Sequence, residues 1–211
     1  KTKVHKITIE GNEKLSDRKI KGGLFSKGAF AKTHEAGKLS SFLKAKKFTP
    51  ERWKEDKQKL IDKYYEHGYR DAQILEDSVS NYDGKHVDIY LKVDEGKQYF
   101  LRNVTWVGNT VYSTDYLSAL LGMKKGDVYN QKLLHKRLNE DEDAVGNLYY
   151  NNGYVFSNIN PAEVNIDGDS IDLEMRVTEG PQAYLSHIRI NGNTRPVSYT
   201  HLRAHETRHD L

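Results

Sequence analysis

The sequence predicts an α+β protein built from two tandem copies of one β-α-α-β-β unit. A stretch of alternating apolar residues that closes with Gly-Asn occurs three times, as VHKITIEGN, LRNVTWVGN and LSHIRINGN. Two further motifs occur twice, YYEHGY followed by VDEG and YYNNGY followed by VTEG. Gly68 and Gly153 are 85 residues apart, and Gly96 and Gly180 are 84 apart. A period of this length, with the motifs in the same order, indicates repeated structural units.

The composition indicates a soluble globular protein or a soluble part of one. Of the 211 residues, 36% are hydrophobic and 30% are charged, and no segment has the ~20 continuous apolar residues of a membrane-spanning helix. No charged and then apolar leader opens the chain. The net charge of +3 is too small to indicate a polyanionic partner. The absence of cysteine excludes disulfides, thiolate metal sites and cysteine nucleophiles, but leaves the compartment open.

The first unit is predicted to begin with a strand whose Ile7 and Ile9 face a core, closed by a turn at Gly11-Asn12. Ser16 opens a short helix, and Thr49-Pro50 starts a long one. The long helix has apolar residues on one face, namely Trp53, Leu60, Ile61, Tyr64 and Tyr65. A hairpin then turns at Asp83-Gly84 into a strand that alternates Val87, Ile89, Leu91 and Val93 with polar residues.

The second unit repeats this order. Its opening strand carries Val104 and Trp106, and Ser113 caps a short helix that stops at Gly122. Asn130 is predicted to cap one longer helix that ends at Gly153 and aligns Leu134, Leu138, Val145, Leu148 and Tyr149 on one face. Two strands, Val155 to Ile166 and Ile171 to Val177, complete the unit and meet at Asp167-Gly168, a dipeptide that suits a type I′ turn.

These repeated motifs resemble the POTRA (polypeptide-transport-associated) modules of BamA-type outer-membrane assembly factors. The resemblance covers Val4 to Gly180 as two modules and continues into the first strand of a third. It implies that each module is a three-stranded mixed sheet covered on one face by two helices, with the strand after the long helix at an edge. The expected boundaries are 1–96, with an insertion near 23–48, then 97–180, and 181–195 for the truncated third module. The short passage EGKQYFLRNV between the two modules predicts a restricted hinge.

The end of the chain, 196–211, is predicted to be a non-native tail. It contains His205, Glu206 and His209 in the H-E-x-x-H spacing of a zinc protease helix. However, no apolar helical face surrounds this motif, and the chain ends two residues after His209, before a third ligand. We therefore expect no metal site there. Because no nucleophile, base and orienting residue recur together, we expect no cofactor and no enzymatic activity.

The resemblance implies a function in binding other polypeptides. Such a segment lies in the periplasm, associated with the outer membrane through the carboxy-terminal β-barrel of the full-length protein. The expected partners are unfolded outer-membrane proteins and accessory assembly lipoproteins, held by strand addition to the edge strands. The expected contact residues are Ala72, Gln73, Ile74, Leu75 and Val79 in the first module and Val155, Phe156 and Ile159 in the second. Because Pro161 cannot donate a ladder hydrogen bond, we expect the first module to be the better acceptor.

Two alternatives stay open at this point. The same modules occur in two-partner-secretion and translocation-assembly barrel proteins. The order β-α-α-β-β also begins the RNA-binding KH fold, which needs a G-x-x-G loop between its helices. The second unit has GMKKG there, one residue too long, and the first has GLFSKG, two too long. We therefore expect no nucleic-acid partner.

Overall fold

The computed structural model describes residues 2–23, 26–30, 32–33 and 47–184. The first module contains, in chain order, β1 (Lys3–Glu10), α1 (Asp17–Lys21), β2 (Gly22–Gly23), β3 (Ser26–Lys27), α2 (Pro50–Glu66), β4 (Gln73–Asn81) and β5 (His86–Asp94). Its main sheet has the order β1-β5-β4, in which β5 pairs in parallel with β1 and antiparallel with β4. β2 and β3 form a separate antiparallel pair.

The second module repeats this arrangement. It contains β6 (Phe100–Val107), α3 (Thr114–Leu121), α4 (Gln131–His135), a π-helical segment (Lys136–Glu140), α5 (Val145–Asn151), β7 (Asn158–Asp167) and β8 (Ser170–Thr178). The strand order is β6-β8-β7, again with one parallel and one antiparallel pair. The predicted α+β fold, with two three-stranded mixed sheets and the last strand of each module in the middle, is confirmed.

The predicted helix starts are confirmed by their capping hydrogen bonds. The Thr49 side chain accepts from the Arg52 backbone N–H, and Pro50 occupies the first helical turn, where its missing N–H costs nothing. Ser113 accepts from the Tyr116 N–H, and Asn130 accepts from the Leu133 N–H. Each side chain satisfies one of the N–H groups that a helix start leaves unpaired.

The prediction of one long helix after Asn130 is wrong, because the helix is broken at Asp141–Ala144. Asp141 has ψ 151° and Ala144 has ψ 148°, both extended. The break coincides with the acidic run Glu140–Asp143, whose first and last carboxylates would be neighbours one turn apart on a continuous helix and would repel each other. Arg137 binds the carboxylates of Asp141 and Asp143 at the break. The apolar face is nevertheless continuous across it, since Leu134, Leu138, Val145 and Tyr149 are all buried.

The described part of the insertion contributes to the first core. Phe30 is buried and lies with its ring 5.9 Å from that of Trp53. The buried carboxylate of Asp56 accepts hydrogen bonds from the backbone N–H groups of Lys32 and Thr33 at 2.9 and 2.7 Å. The insertion is therefore attached to α2 at this point.

Each module has its own hydrophobic core between its sheet and its helices. The largest buried side chains of the first core include Ile7, Leu60, Tyr64, Ile89 and Leu91. Those of the second include Leu101, Leu117, Leu138, Tyr149 and Ile171. The predicted hairpins are present, although the loop of the second is Gly168-Asp169, one residue later than predicted. Of the residues predicted to form a truncated third module and a tail, only 181–184 are described, so the His205, Glu206 and His209 motif lies outside the described residues.

Candidate functional site

In each module, the glutamate of the closing motif VDEG or VTEG connects the end of the sheet to other elements of the same module. Glu95 is buried and accepts hydrogen bonds from the backbone N–H groups of Lys14 and Leu15 at 2.6 and 2.9 Å. It also accepts from the hydroxyl of Tyr64 at 3.1 Å. Burial, and then the charge of Glu95, raise the pKa of Tyr64 above its ordinary value. Glu95 thereby joins the end of the sheet to the loop after β1 and to α2.

Glu179 makes the same connections in the second module. It accepts from the backbone N–H groups of Thr110 and Val111 at 2.8 and 2.9 Å and from the Tyr149 hydroxyl at 3.0 Å. Burial raises the pKa of Glu179, but the hydrogen bonds from Thr110, Val111 and Tyr149 outweigh it, so its pKa lies below the ordinary value. Tyr64 and Tyr149, the first tyrosines of YYEHGY and YYNNGY, therefore have a structural role.

The Gly-Asn turns are required by close backbone contact. Gly11 and Gly108 both have φ +85°, and a Cβ atom there would lie 2.1 and 2.2 Å from the carbonyl oxygens of Val93 and Val177. Only glycine fits such a position. The Gly-Asn motifs that reveal the repeat therefore have a structural role in each module.

Each sheet has two edge strands, β1 and β4 in the first module and β6 and β7 in the second, and the edges predicted to bind partners are those of β4 and β7. Within the described residues, β4 pairs only with β5, and β7 pairs only with β8. The structure places Gln73, Ile74, Leu75 and Val79 in β4 and Ile159 in β7, as the sequence predicted. Ala72 directly precedes β4, and Val155 and Phe156 lie in a turn before β7. Their assignment to the edge strands is therefore corrected.

The hydrogen-bond register of the first hairpin indicates which backbone N–H groups of β4 point away from β5. Tyr82 donates its backbone N–H to the carbonyl of His86 at 2.9 Å, just beyond β4. Successive N–H groups of an antiparallel strand alternate between the partner strand and the opposite side. Since Asp77 and Val79 lie an odd number of residues from Tyr82, we infer that their N–H groups point to the open side. Val79 is also half exposed, which leaves this part of the edge accessible.

The counterpart of Asp77 in the second module is Pro161. Asp77 is in register with Leu91 and Pro161 is in register with Met175, which occupies the same place in the second sheet. Proline is accepted at an edge because its nitrogen can face away from the ladder. The β7 edge therefore lacks a donor that the β4 edge has.

The space between the helices and the edge strand differs between the modules. In the first module Asp77 accepts from Trp53 Nε1 at 3.1 Å and from Lys57 Nζ at 2.7 Å, so α2 is tied to β4. The hydrogen bond from Lys57 is the main cause that holds the pKa of Asp77 below its ordinary value. In the second module a groove of about 520 Å³ lies beside β7, and it is lined by Tyr129, Gln131, Leu134, His135, Leu138, Asn139, Pro161 and Glu163.

This groove adjoins contacts with the first module. Glu163 of β7 accepts from the Tyr129 hydroxyl at 2.8 Å and from Arg70 Nη2 at 2.5 Å. The hydrogen bond from Arg70 to Glu163 raises the pKa of Arg70. A second ion pair joins Lys132 Nζ to Glu66 Oε1 at 2.5 Å. No signal in the sequence indicated these pairs, because they join residues about 66 to 93 positions apart.

The two modules meet at what we call the first joint, which comprises His67, Gly68, Gln98 and Tyr99 together with the Arg70–Glu163 and Lys132–Glu66 ion pairs. Tyr99 donates its backbone N–H to the Gly68 carbonyl at 2.9 Å, and Gln98 donates its amide to the His67 carbonyl at 2.9 Å. Gly68 has φ +82°, and a Cβ there would lie 2.5 Å from Cγ1 of Val128 in the second module. These contacts support the predicted restriction of the hinge.

A family model described as "POTRA: Surface antigen variable number repeat" matches this chain twice, over residues 2–96 and 99–180. The chain belongs to the POTRA family. Both POTRA modules coincide with the repeats found in the sequence, so the family assignment gives no support to the KH-like alternative. The loop GMKKG stands where a KH fold has its G-x-x-G loop. Here Gly122 ends α3 in the left-handed conformation, and Gly126 donates its N–H to the Leu101 carbonyl at 2.7 Å.

Relatives of the POTRA segment include outer-membrane assembly factors. The chain is 26% identical over 196 residues to the outer membrane protein assembly factor BamA of Neisseria meningitidis serogroup B, covering 92% of this chain and 23% of the relative. It is 27% identical over 197 residues to a putative outer membrane protein assembly factor of Treponema pallidum, covering 90% and 22%. The chain thus spans less than a quarter of the length of these relatives.

Solved structures with the same fold include two from BamA. Haemophilus influenzae BamA POTRA3-5 has a TM-score of 0.64 and 23% identity, with 92% of this chain and 72% of that chain covered. BamA from Haemophilus ducreyi lacking POTRA domains 1-3 has a TM-score of 0.54 and 15% identity, with 85% and 29% covered. At these identities the likeness shows the fold.

The described ranges contain no group of three or more His, Cys, Asp or Glu residues placed to hold a metal ion. Over the same ranges, no helix combines the length and the apolar character needed to cross a membrane. The features of the POTRA segment that bear on binding include the strand edges of β4 and β7, the groove beside β7 and the first joint.

Proposed function

We propose that this chain is a periplasmic POTRA segment of a BamA-like outer-membrane assembly factor. In this proposal it binds extended segments of unfolded outer-membrane proteins, or of an accessory lipoprotein, by adding them as a fourth strand to its sheets. The relatives named as outer membrane protein assembly factors support the biological setting.

The open edge of β4 is the observation that carries the proposal. Among the described residues no strand pairs with the side of β4 opposite β5. An edge of unpaired N–H and C=O groups binds another extended chain through its backbone. Because all polypeptides share that backbone, such a site accepts clients of different sequence, as a general assembly factor requires.

The two edges support different modes of binding. The β4 edge has N–H donors at both Asp77 and Val79, and its helix side is occupied by Trp53 and Lys57. We propose that it recognises mainly the backbone of the client. The β7 edge lacks the donor at Pro161, but it adjoins the groove, whose wall includes Leu134 and Leu138. There, side chains of the client have apolar surface to contact.

The test compares Val79→Pro with Val79→Ala. Both variants remove the same half-exposed side chain, but only proline removes the outward N–H. The probe is a synthetic peptide with the sequence of the last strand of an outer-membrane barrel protein, titrated into isotopically labelled chain and followed by NMR. We expect the alanine variant to bind like the original chain and the proline variant to lose the shifts along β4.

The second module serves as an internal control, because its edge strand is unchanged in both variants. Retained shifts of β7 residues with loss of those in β4 would support two separate edges. Equal binding by the proline and alanine variants, with both modules folded, would contradict strand addition at β4. Shifts confined to α1 and α2 would also contradict it.

A further inference from the structure

Two adjacent apolar side chains are exposed at the end of the second module, where the turn after α5 leads into β7. Phe156 has 70% of its surface exposed and Val155 has 40%. Burying a large apolar side chain stabilises a protein in proportion to the apolar surface that is removed from water. A neighbouring exposed apolar pair therefore favours contact with another surface.

The counterparts of this pair in the first module are Arg70 and Asp71, 85 residues earlier. The backbone confirms the correspondence. A Cβ on Gly96 would lie 3.2 Å from the Cβ of Asp71, and a Cβ on Gly180 would lie 3.3 Å from the Cβ of Phe156. Both pairs therefore occupy the same place in their modules.

In the first module this place contacts the module that follows. Arg70 pairs with Glu163, and its guanidinium lies 5.8 Å from the ring of Tyr99. Asp71 accepts a hydrogen bond from the Tyr99 hydroxyl at 2.8 Å. The positions of Arg70 and Asp71 thus hold the first joint with polar and charged contacts.

The backbone part of the joint is repeated after the second module. Ala183 donates its N–H to the Gly153 carbonyl at 2.8 Å, and Gln182 donates its amide to the Asn152 carbonyl at 2.9 Å. These bonds match those of Tyr99 and Gln98 at the first joint. We call this set of four residues the second joint. The chain therefore leaves the second module in the same way as it leaves the first.

We propose that Val155 and Phe156 form the docking surface for a third POTRA module of the same polypeptide. The occupant follows from the repeated joint and from the third Gly-Asn strand motif, which ends at Asn193. The side chains at the first joint make ion pairs, whereas the contacts proposed for Val155 and Phe156 at the second joint are apolar. Salt weakens exposed ion pairs but does not weaken apolar burial, so the two joints respond differently to ionic strength.

The test uses a polypeptide that continues from these two modules into a complete third POTRA module of the parent protein. Pairs of spin labels across each joint report the distance distribution between modules by pulsed electron resonance. The variants are Phe156→Asp and, as a control in another module, Tyr82→Asp, which places the same charge at an exposed aromatic residue of the first hairpin. Circular dichroism and melting curves verify that each variant is folded.

We expect Phe156→Asp to broaden the distribution across the second joint and to leave the first unchanged, whereas Tyr82→Asp changes neither. Raising the salt concentration should broaden the first joint more than the second. An unchanged second joint in Phe156→Asp overturns the proposal. The proposal is also overturned if Phe156→Asp abolishes self-association, measured by sedimentation, or peptide binding while the distances across the second joint stay unchanged. The surface would then bind a second copy or a client.

Discussion

The hydroxyl of Tyr64 donates a 3.1 Å hydrogen bond to the buried carboxylate of Glu95, and this pair joins the last turn of α2 to the end of β5. The two residues come from the two motifs that follow the Gly-Asn turn in each repeat. Because Glu95 also accepts two backbone N–H groups from the loop after β1, its removal leaves three donors without their partner. A hydrogen bond to a charged group contributes about 1.5–3 kcal/mol.

We therefore expect Glu95→Ala to lower the free energy of unfolding of the first module by roughly 3 kcal/mol or more. Glu179→Ala is the matched variant in the second module. Its hydrogen bonds are more exposed to water, which can replace the lost acceptor, so a smaller loss is expected. Chemical denaturation, followed by NMR signals of each module, measures both. Equal losses would contradict this difference in burial.

Gly68→Ala should loosen the first joint. The added methyl group would lie 2.5 Å from Val128 and 2.9 Å from the Tyr99 carbonyl, so the modules must move apart. Gly84→Ala is the control, since Gly84 has a similar φ of +78° and no atom within 4 Å of the added Cβ. Both variants incur the ~1–2 kcal/mol cost of a left-handed alanine. Only Gly68→Ala should increase the range of inter-module distances in small-angle scattering, and an equal increase in Gly84→Ala would contradict the contact.

The first joint should loosen in acid through Glu66. Burial raises the pKa of Glu66, but the hydrogen bond from Lys132 and the charge of Lys63 outweigh it, so the folded pKa lies below the ordinary value of 4.5. A carboxylate with a lowered pKa stabilises the folded form above the unfolded pKa, and this contribution is lost as the pH falls through the folded pKa. For an exposed pair the contribution is at most about 1 kcal/mol.

Spin-label distances across the first joint, measured from pH 7 down to about pH 3, test this expectation. The original chain should lose order below pH 4.5. Glu66→Gln has no carboxylate at this position, so it should already be looser at pH 7 and change less as the pH falls. If both chains loosen equally with pH, another group is responsible.

Pro161→Ala should improve strand addition at β7. It restores an N–H at the position that matches Asp77, on the side of the strand that faces away from β8. One further hydrogen bond contributes about 0.5–1.5 kcal/mol, which is about 2-fold to 12-fold in the peptide dissociation constant. Isothermal titration of the same barrel-strand peptide measures the change. Weaker binding in the alanine variant, with an intact fold, would show that the groove wall formed by Pro161 contributes more than the missing donor.

The sequence by itself determined the repeat, the two modules and most of the elements. Gly11 and Gly108 show why this was possible. A tight backbone contact at this position admits only glycine, so glycine recurs at the same place in each repeat. Capping residues such as Ser113 and Asn130 are equally local, since each satisfies a backbone N–H three residues away.

The tertiary structure alone decided the break of the helix after Glu140, the groove beside β7 and the ion pairs of the first joint. The apolar positions around the break keep a helical spacing, so periodicity did not reveal it, although the acidic run Glu140–Asp143 marks the place. Val155 and Phe156 looked like strand residues because their side chains suit a strand, but they lie in a turn. Arg70 and Glu163 are 93 residues apart, and only the packing of one module against the other brings such distant charges together.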